Sequence, residues 1–268
     1  MSKYSCLIVA CFFCAPVAVS QRFSEAIEDN SFLIEEAYNQ EDRVVQHIST
    51  ALFQNQPRVF IGTFTEEWPV NGREHQLSYT IPYESLHPTS RGLGDIAINY
   101  RYQIWGEGDW AWLAPRVSVV LPTGDVSHGL GNGVLGVQVN VPMSKRWTNG
   151  LVTHFNAGFN LLPNAKVLTS DGNIVRGSLG TYSAGASAIW LASANLNVLC
   201  ESLYSVNSNV HDNSTVSTSS VSIISPGVRF AVNTGSLQIV PGVAVPVVLG
   251  QGRVQTNIFG YLSFEHPF

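Results

Sequence analysis

The sequence predicts an all-β chain: a transmembrane antiparallel β-barrel of about 12 strands, preceded by a short periplasmic N-terminal segment. Three observations carry that prediction. From about residue 44 onward, apolar and small polar residues alternate with a period of two, the strand period, in runs of about ten residues. Such runs are long enough to cross a bilayer as tilted strands and well above the usual soluble strand length. Charged residues make up only 12% of a chain that is 45% hydrophobic, where a soluble domain carries about a quarter charged residues. Finally, all six tryptophans, Trp68, Trp105, Trp110, Trp112, Trp147 and Trp190, fall at or near alternate turns, as an interfacial aromatic girdle requires.

Residues 1–20 are expected to be a signal peptide. Lys3 supplies a positive start, Cys6 to Val19 is apolar, and Ala18 and Ser20 occupy the −3 and −1 positions before Gln21. Two rivals are a buried N-terminal helix, which leaves the cleavage-site pattern unexplained, and a lipoprotein box at Ile8-Val9-Ala10-Cys11, which has too short an apolar run before it. Loss of residues 1–20 removes Cys6, Cys11 and Cys14 and leaves Cys200 alone, so no internal disulfide is expected. The formal charge of −5 gives no electrostatic footprint for nucleic acid, and no run of 18 apolar residues marks a transmembrane helix.

Strands are predicted near 44–53, 58–68, 74–84, 93–105, 110–121, 133–143, 151–161, 179–191, 196–205, 221–232, 237–248 and 256–268. The alternation is cleanest in the fourth, where Ile96, Ile98, Tyr100, Tyr102 and Ile104 oppose Asp95, Asn99, Arg101 and Gln103. In the sixth, Leu135, Val137, Val139, Val141 and Met143 oppose Gly136, Gln138 and Asn140. Asn71-Gly72 is a tight-hairpin signal because both positions suit positive φ. The other periplasmic turns are expected at Gly106–Asp109, Ser144–Gly150, Ala192–Asn195 and Asn233–Ser236, with longer outer loops at 122–132, 162–178 and 206–220. Phe53, Tyr83, Tyr182 and Tyr204 stand where an outer girdle would lie. The chain closes with Leu262, Phe264 and Phe268 on one face, similar to the C-terminal signal of bacterial outer-membrane barrels, although His266 replaces a common aromatic.

Four segments resemble a known family: Ser31 to Glu41 (SFLIEEAYNQE), Gly92 to Ala97 (GLGDIA), Leu121 to Asp125 (LPTGD) and Gly129 to Gly133 (GLGNG). They are similar to the outer-membrane transporters grouped as the "MetA-pathway of phenol degradation" family. The resemblance covers most of residues 21–268 and implies an outer-membrane location, assembly through the C-terminal Phe268 and passage of a small organic solute. The family name reflects a genetic association with aromatic catabolism, and its motifs bring no reaction and no agreed binding residues.

Little in the chain suggests catalysis or metal binding, and neither a catalytic residue, a metal ligand set nor a cofactor is predicted. Gly129 to Gly133 is followed by a strand rather than a βαβ unit, so it reads as an outer loop rather than a nucleotide loop. The seven histidines and Cys200 lack metal-ligand spacing. His154 could be assembled into a Ser-His-acid triad only by choosing among many serines, and it reads better as a lumen hydrogen-bonding residue. By parity Arg101, Arg116 and Arg229 point into the barrel with Glu201, His154, Asp95, Asn99, Gln138, Asn140 and Asn156. Two readings stay open for these solute-path candidates. One is a self-satisfied polar network filling a narrow lumen; the other is a basic track that attracts a small anion.

The domain reading is therefore a signal peptide at 1–20, an acidic periplasmic segment or plug at 21–43, and a barrel at 44–268. Residues 21–43 hold seven acids against Arg22 and Arg43, yet also Phe32-Leu33-Ile34 and Tyr38, which are costly to leave in water. A free tail or a segment entering the mouth both fit. The expected function is passive passage of small organic solutes, aromatic compounds or organic anions, across the outer membrane in contact with its lipid. The rivals are a lipid-modifying outer-membrane enzyme and a structural or surface-interaction barrel.

Overall fold

The computed structural model describes residues 27, 31–87, 90–147, 150–211 and 215–268. The signal-peptide reading, with Cys6, Cys11 and Cys14, lies outside these residues. Twelve strands form one closed antiparallel sheet in which each strand pairs with its neighbours in sequence. They are β1 (Val44–Gln54), β2 (Val59–Pro69), β3 (His75–His87), β4 (Ser90–Leu93 and Ala97–Tyr102), β5 (Trp112–Leu113 and Arg116–Val120) and β6 (Gly136–Arg146). The second half comprises β7 (Leu151–Leu168), β8 (Ile174–Ser193), β9 (Leu196–Val210), β10 (Val216–Phe230, continued by Val232–Thr234), β11 (Leu237–Ala244 and Val247–Gly250) and β12 (Arg253–Thr256 and Ile258–Pro267). Closure is made by β1 against β12, in register from Val44↔Pro267 to Phe53↔Ile258. No sheet edge is left open, which is what a strand-built membrane protein needs.

The two faces of the wall are inverted relative to a soluble protein. On β5, Val117 and Val119 are 48% and 45% exposed on the outside, while Ser118 between them is 1% exposed on the inside. Val137 and Val141 on β6 and Phe155 and Phe159 on β7 likewise face outward. Apolar side chains with no protein cover and polar side chains buried between them identify the outer surface as the lipid-facing one. Among the described residues no helix is long and apolar enough to cross a membrane.

The structure departs from the sequence expectations in the outer loops and at one tryptophan. The stretches 162–178 and 206–220, expected as loops, are largely strand: β7 and β8 pair from Ile174↔Leu168, and β9 and β10 from Val210↔Val216. Ser, Asn and Gly suggested loop there, but hairpins that rise past the membrane need no lipid-facing apolar row. Trp112 does not join the periplasmic girdle, since its ring meets Tyr38 edge-on at 5.1 Å at the mouth of the lumen. Trp105, Trp110, Trp147 and Trp190 are exposed on the outside. Asn71 and Gly72 do adopt positive φ, 55° and 101°.

Candidate functional site

Residues 31–40 lie inside the barrel and run along its inner wall as an irregular strap, which the exposed residues 41–43 join to β1. Having no strand partner, the strap must satisfy its backbone N–H groups with wall side chains. Glu201 Oε1 on β9 accepts from Phe32, Leu33 and Ile34 N–H at 3.0, 2.8 and 3.0 Å. Ser31 bonds Ser187 on β8 at 2.7 Å. Glu35 exchanges two bonds with the Asn156 amide on β7, each 2.8 Å. Ala37 N–H donates to Ser144 on β6, Asn39 N–H to Gln103 beyond β4, and Gln40 N–H to Gln76 on β3. From Glu201 on β9 the partners pass through β7, β6 and the end of β4 to β3, so the strap sweeps the wall before entering β1.

Its apolar side chains fit sockets made by glycines. A Cβ on Gly227 or Gly242 would lie 2.6 Å from the Phe32 ring, and one on Gly185 would collide with Ile34. Phe32 also packs against Phe259 and Tyr261 of β12, with centroids 5.6 and 5.3 Å apart. It thereby joins the small internal core of Ile48, Ile189, Leu199 and Val240. Tyr38 closes the periplasmic end between Trp112, His154 and the Arg146 guanidinium.

The strap's acids meet the wall's arginines. Arg116 grips Glu35 with both ends of its fork, Nε to Oε2 at 3.0 Å and Nη2 to Oε1 at 2.5 Å. The remaining Arg116 nitrogen donates to Asn99 and Ser118. Arg101 donates to Glu36 at 3.1 Å and to the Tyr38 carbonyl at 3.0 Å, and lies 3.6 Å from Glu35. With Glu67 of β2 buried alongside, three carboxyl groups face two guanidiniums, so one carboxyl retains a proton at little cost. Burial pushes Glu36 up to about 8, against the pull of Arg101. Burial opposes ionisation of Glu35 as well, but Arg116 and Arg101 together outweigh it and hold its carboxyl below the usual range.

Above the strap is a cavity of about 390 Å³. Threonines 50, 63, 65 and 80 form one wall, with Thr50–Thr63 and Thr65–Thr80 hydroxyl contacts of 2.6 and 2.9 Å. Arg101, Arg116, Asn99 and Gln138 lie along it, and Phe32, Leu33, Ile34 and Glu35 line it from the strap. Asp95 anchors the outer loop here, accepting from Gly124 N–H at 2.9 Å and Asn132 N–H at 2.8 Å. The GLGD, LPTGD and GLGNG segments thus meet at one carboxylate.

Of the remaining sequence candidates, Arg229, Glu201 and His154 are buried on the inner wall and do not line that cavity. Asn140 donates to Asn156 at 3.1 Å, which braces the amide that holds Glu35. His154 bonds Ser144 at 2.7 Å, and the Ser144 oxygen already accepts Ala37 N–H, so the pair is engaged in holding the strap. Sequence reasoning put Gln76 and Gln103 on the inward face but gave them no role, and it missed Ser144 and the sockets at Gly185, Gly227 and Gly242. The inward parity of those glycines was the available signal. Among the described residues no three His, Cys, Asp or Glu side chains are grouped to hold a metal.

No protein-family model matches the chain, and no curated protein is similar to it in sequence. Solved structures are similar in fold. The COG4313 outer membrane channel from Pseudomonas putida F1 matches with a TM-score of 0.63 at 11% identity, over 87% of this chain and 98% of that one. The NanC porin matches with a TM-score of 0.50 at 8% identity, over 83% and 100% of the two chains. The translocator domain of the autotransporter NalP from Neisseria meningitidis matches with a TM-score of 0.50 at 12% identity, over 86% and 90%. At such identities the likeness establishes the fold: a closed barrel of the outer-membrane type.

Proposed function

We propose that this protein is an outer-membrane channel for passive passage of small organic solutes, and that residues 31–43 are its internal restriction. The observation that carries the reading is the amphiphilic cavity of about 390 Å³ whose floor is the strap itself. A solute entering from outside meets hydroxyl and amide groups on one side and Phe32 and Leu33 on the other. That lining suits a monocyclic aromatic compound or a small organic acid, because it offers hydrogen bonds along one edge and apolar contact along the rest. The likeness to the COG4313 channel and the NanC porin supports the same reading, as does the resemblance of the strap and loop motifs to the phenol-degradation transporter family.

With the strap docked, Glu35 pairs with Arg116 and lies 3.6 Å from Arg101, whose guanidinium is also held by Glu36 and the Tyr38 carbonyl, so the lumen arginines act first as anchors and become an anion-attracting track only when the strap moves. Signal-directed export and assembly through Phe268 belong to the same proposal. The test is solute uptake by proteoliposomes across aromatic acids, phenols and sugars, compared with liposomes lacking protein. Uptake of small aromatic solutes ahead of sugars supports the channel. Absence of protein-dependent uptake, together with hydrolysis of detergent-dispersed phospholipid, would replace it by the enzyme reading.

A further inference from the structure

A polar cluster lies on the opposite, lipid-facing side of the wall, away from the strap. His47 of β1, Glu66 of β2 and His266 of β12 all project outward near the periplasmic end, close to the Trp68–Tyr79 pair. His47 Nδ1 lies 2.9 Å from Glu66 Oε2, and His266 Nδ1 lies 2.9 Å from the Pro267 carbonyl. A carboxylate and a carbonyl can only accept, so each Nδ1 carries its hydrogen. Each neutral imidazole then presents a bare lone pair at Nε2, and these two Nε2 atoms are 3.3 Å apart. Two lone pairs facing at that distance repel unless something positive sits between them.

We propose that His47 and His266 form a binding site for one divalent transition-metal ion of the zinc type, clipping the first strand of the barrel to the last. The separation fits: zinc–nitrogen bonds of about 2.0–2.1 Å at a tetrahedral angle place two nitrogens roughly 3.3–3.4 Å apart. Glu66 takes the place of the outer-sphere carboxylate that fixes the tautomer and raises the basicity of a ligating histidine. With two protein ligands, water from the membrane interface completes the coordination. Both rings are reachable, since the His47 side chain is 27% exposed and His266 is half-buried. The strands joined are β1 and β12, the pair whose contact closes the barrel.

A proton is the competitor for the same position, because an imidazolium at either residue satisfies the pair by an N–H···N bond. The groups facing it are Glu66, the Tyr79 hydroxyl 3.4 Å from Glu66, and the Phe64 ring stacked on His47. Glu67 and Glu265 are on the inward parity. Metal binding should therefore weaken as pH falls.

The experiment titrates zinc chloride into the tag-free full chain in detergent by calorimetry at pH 7.5 and pH 5.5, with thermal unfolding followed in parallel. The expected result is one saturable equivalent at pH 7.5, a raised unfolding midpoint, and weaker binding at pH 5.5. His47→Asn and His266→Asn should each abolish that equivalent while keeping the heat-modifiable gel mobility of a folded barrel. His75→Asn, at another outward histidine, should leave it intact. Glu66→Gln should lower the affinity by about 10–100-fold, and it preserves the test if a histidine variant fails to fold. The proposal is overturned if no saturable equivalent is found, if binding survives both histidine substitutions, or if Glu66→Gln and pH both leave the affinity unchanged.

Discussion

Glu201→Ala should free the strap without unfolding the barrel. In the docked state one carboxylate oxygen accepts three consecutive N–H groups, from Phe32, Leu33 and Ile34. A hydrogen bond to a charged group contributes about 1.5–3 kcal/mol, and three donors sharing one oxygen give less than three times that. A loss of about 3–4 kcal/mol in docking is therefore expected, which at 1.4 kcal/mol per decade shifts the docked-to-undocked ratio by roughly 10²–10³. The strands keep their ladder bonds, so the heat-modifiable mobility of the barrel should be unchanged. Glu201→Gln retains an acceptor oxygen and should show a smaller effect. The assay is single-channel recording in planar bilayers, paired with thiol labelling of a Leu33→Cys reporter. More frequent or larger openings and faster labelling are expected in Glu201→Ala. Identical conductance together with a reporter protected as in the parent would refute the reasoning.

The two acids that meet Arg101 and Arg116 should behave differently. Glu35→Gln breaks a two-point charged grip and should raise open probability, whereas Glu36→Gln replaces a group that carries its proton at neutral pH and should change it little. For Glu36 the sign follows from a value raised to about 8. Its contribution to docking is full below the ordinary carboxyl range and is lost as pH rises through about 8. Conductance should accordingly increase between pH 7 and 9, and Glu36→Gln should flatten that rise. Gly242→Ala places a Cβ 2.6 Å from the Phe32 ring and should weaken docking by about 1–3 kcal/mol, as overpacking does, read by the same Leu33→Cys labelling. On the wall, Val137→Arg puts a charge on the lipid face and should cost about 2–4 kcal/mol, while Gln138→Arg points into the lumen and should assemble better. Equal heat-modifiable yields for these neighbours would contradict the assignment of faces.

The barrel was legible because its physics is local and repetitive. Lipid on one side and polar groups on the other impose a period of two, and that pattern survives in Val117, Ser118 and Val119 as clearly as in the paired strands. Hairpin extensions beyond the membrane were illegible for the complementary reason. Once past the lipid, the outer ends of β7 and β8 (up to Leu168 and from Ile174) and of β9 and β10 (up to Val210 and from Val216) need no apolar face, and their Ser- and Asn-rich sequence looks like loop. The inner wall was half legible. Parity alone set which residues point inward, but not what they touch. Trp112 illustrates the limit: its position near a periplasmic turn fitted a girdle, and only the presence of Tyr38 inside the mouth explains its inward orientation. The Glu35–Arg116 grip depends on where an irregular strap runs, and no periodicity encodes that path. The glycines that receive Phe32 and Ile34 carry the information as missing side chains, which hydropathy patterns do not register.

The central claim is that residues 31–43 restrict the lumen and occupy its arginines, Glu35 pairing with Arg116. Reversal potential and single-channel conductance across a salt gradient test it directly, comparing the full chain, a chain lacking residues 21–40, and that shortened chain with Arg116→Ala. The shortened chain should remain a folded barrel, conduct more and shift its preference toward anions, and Arg116→Ala should reverse part of that shift. A shortened chain that folds yet keeps the parent's conductance and ion preference would contradict the claim.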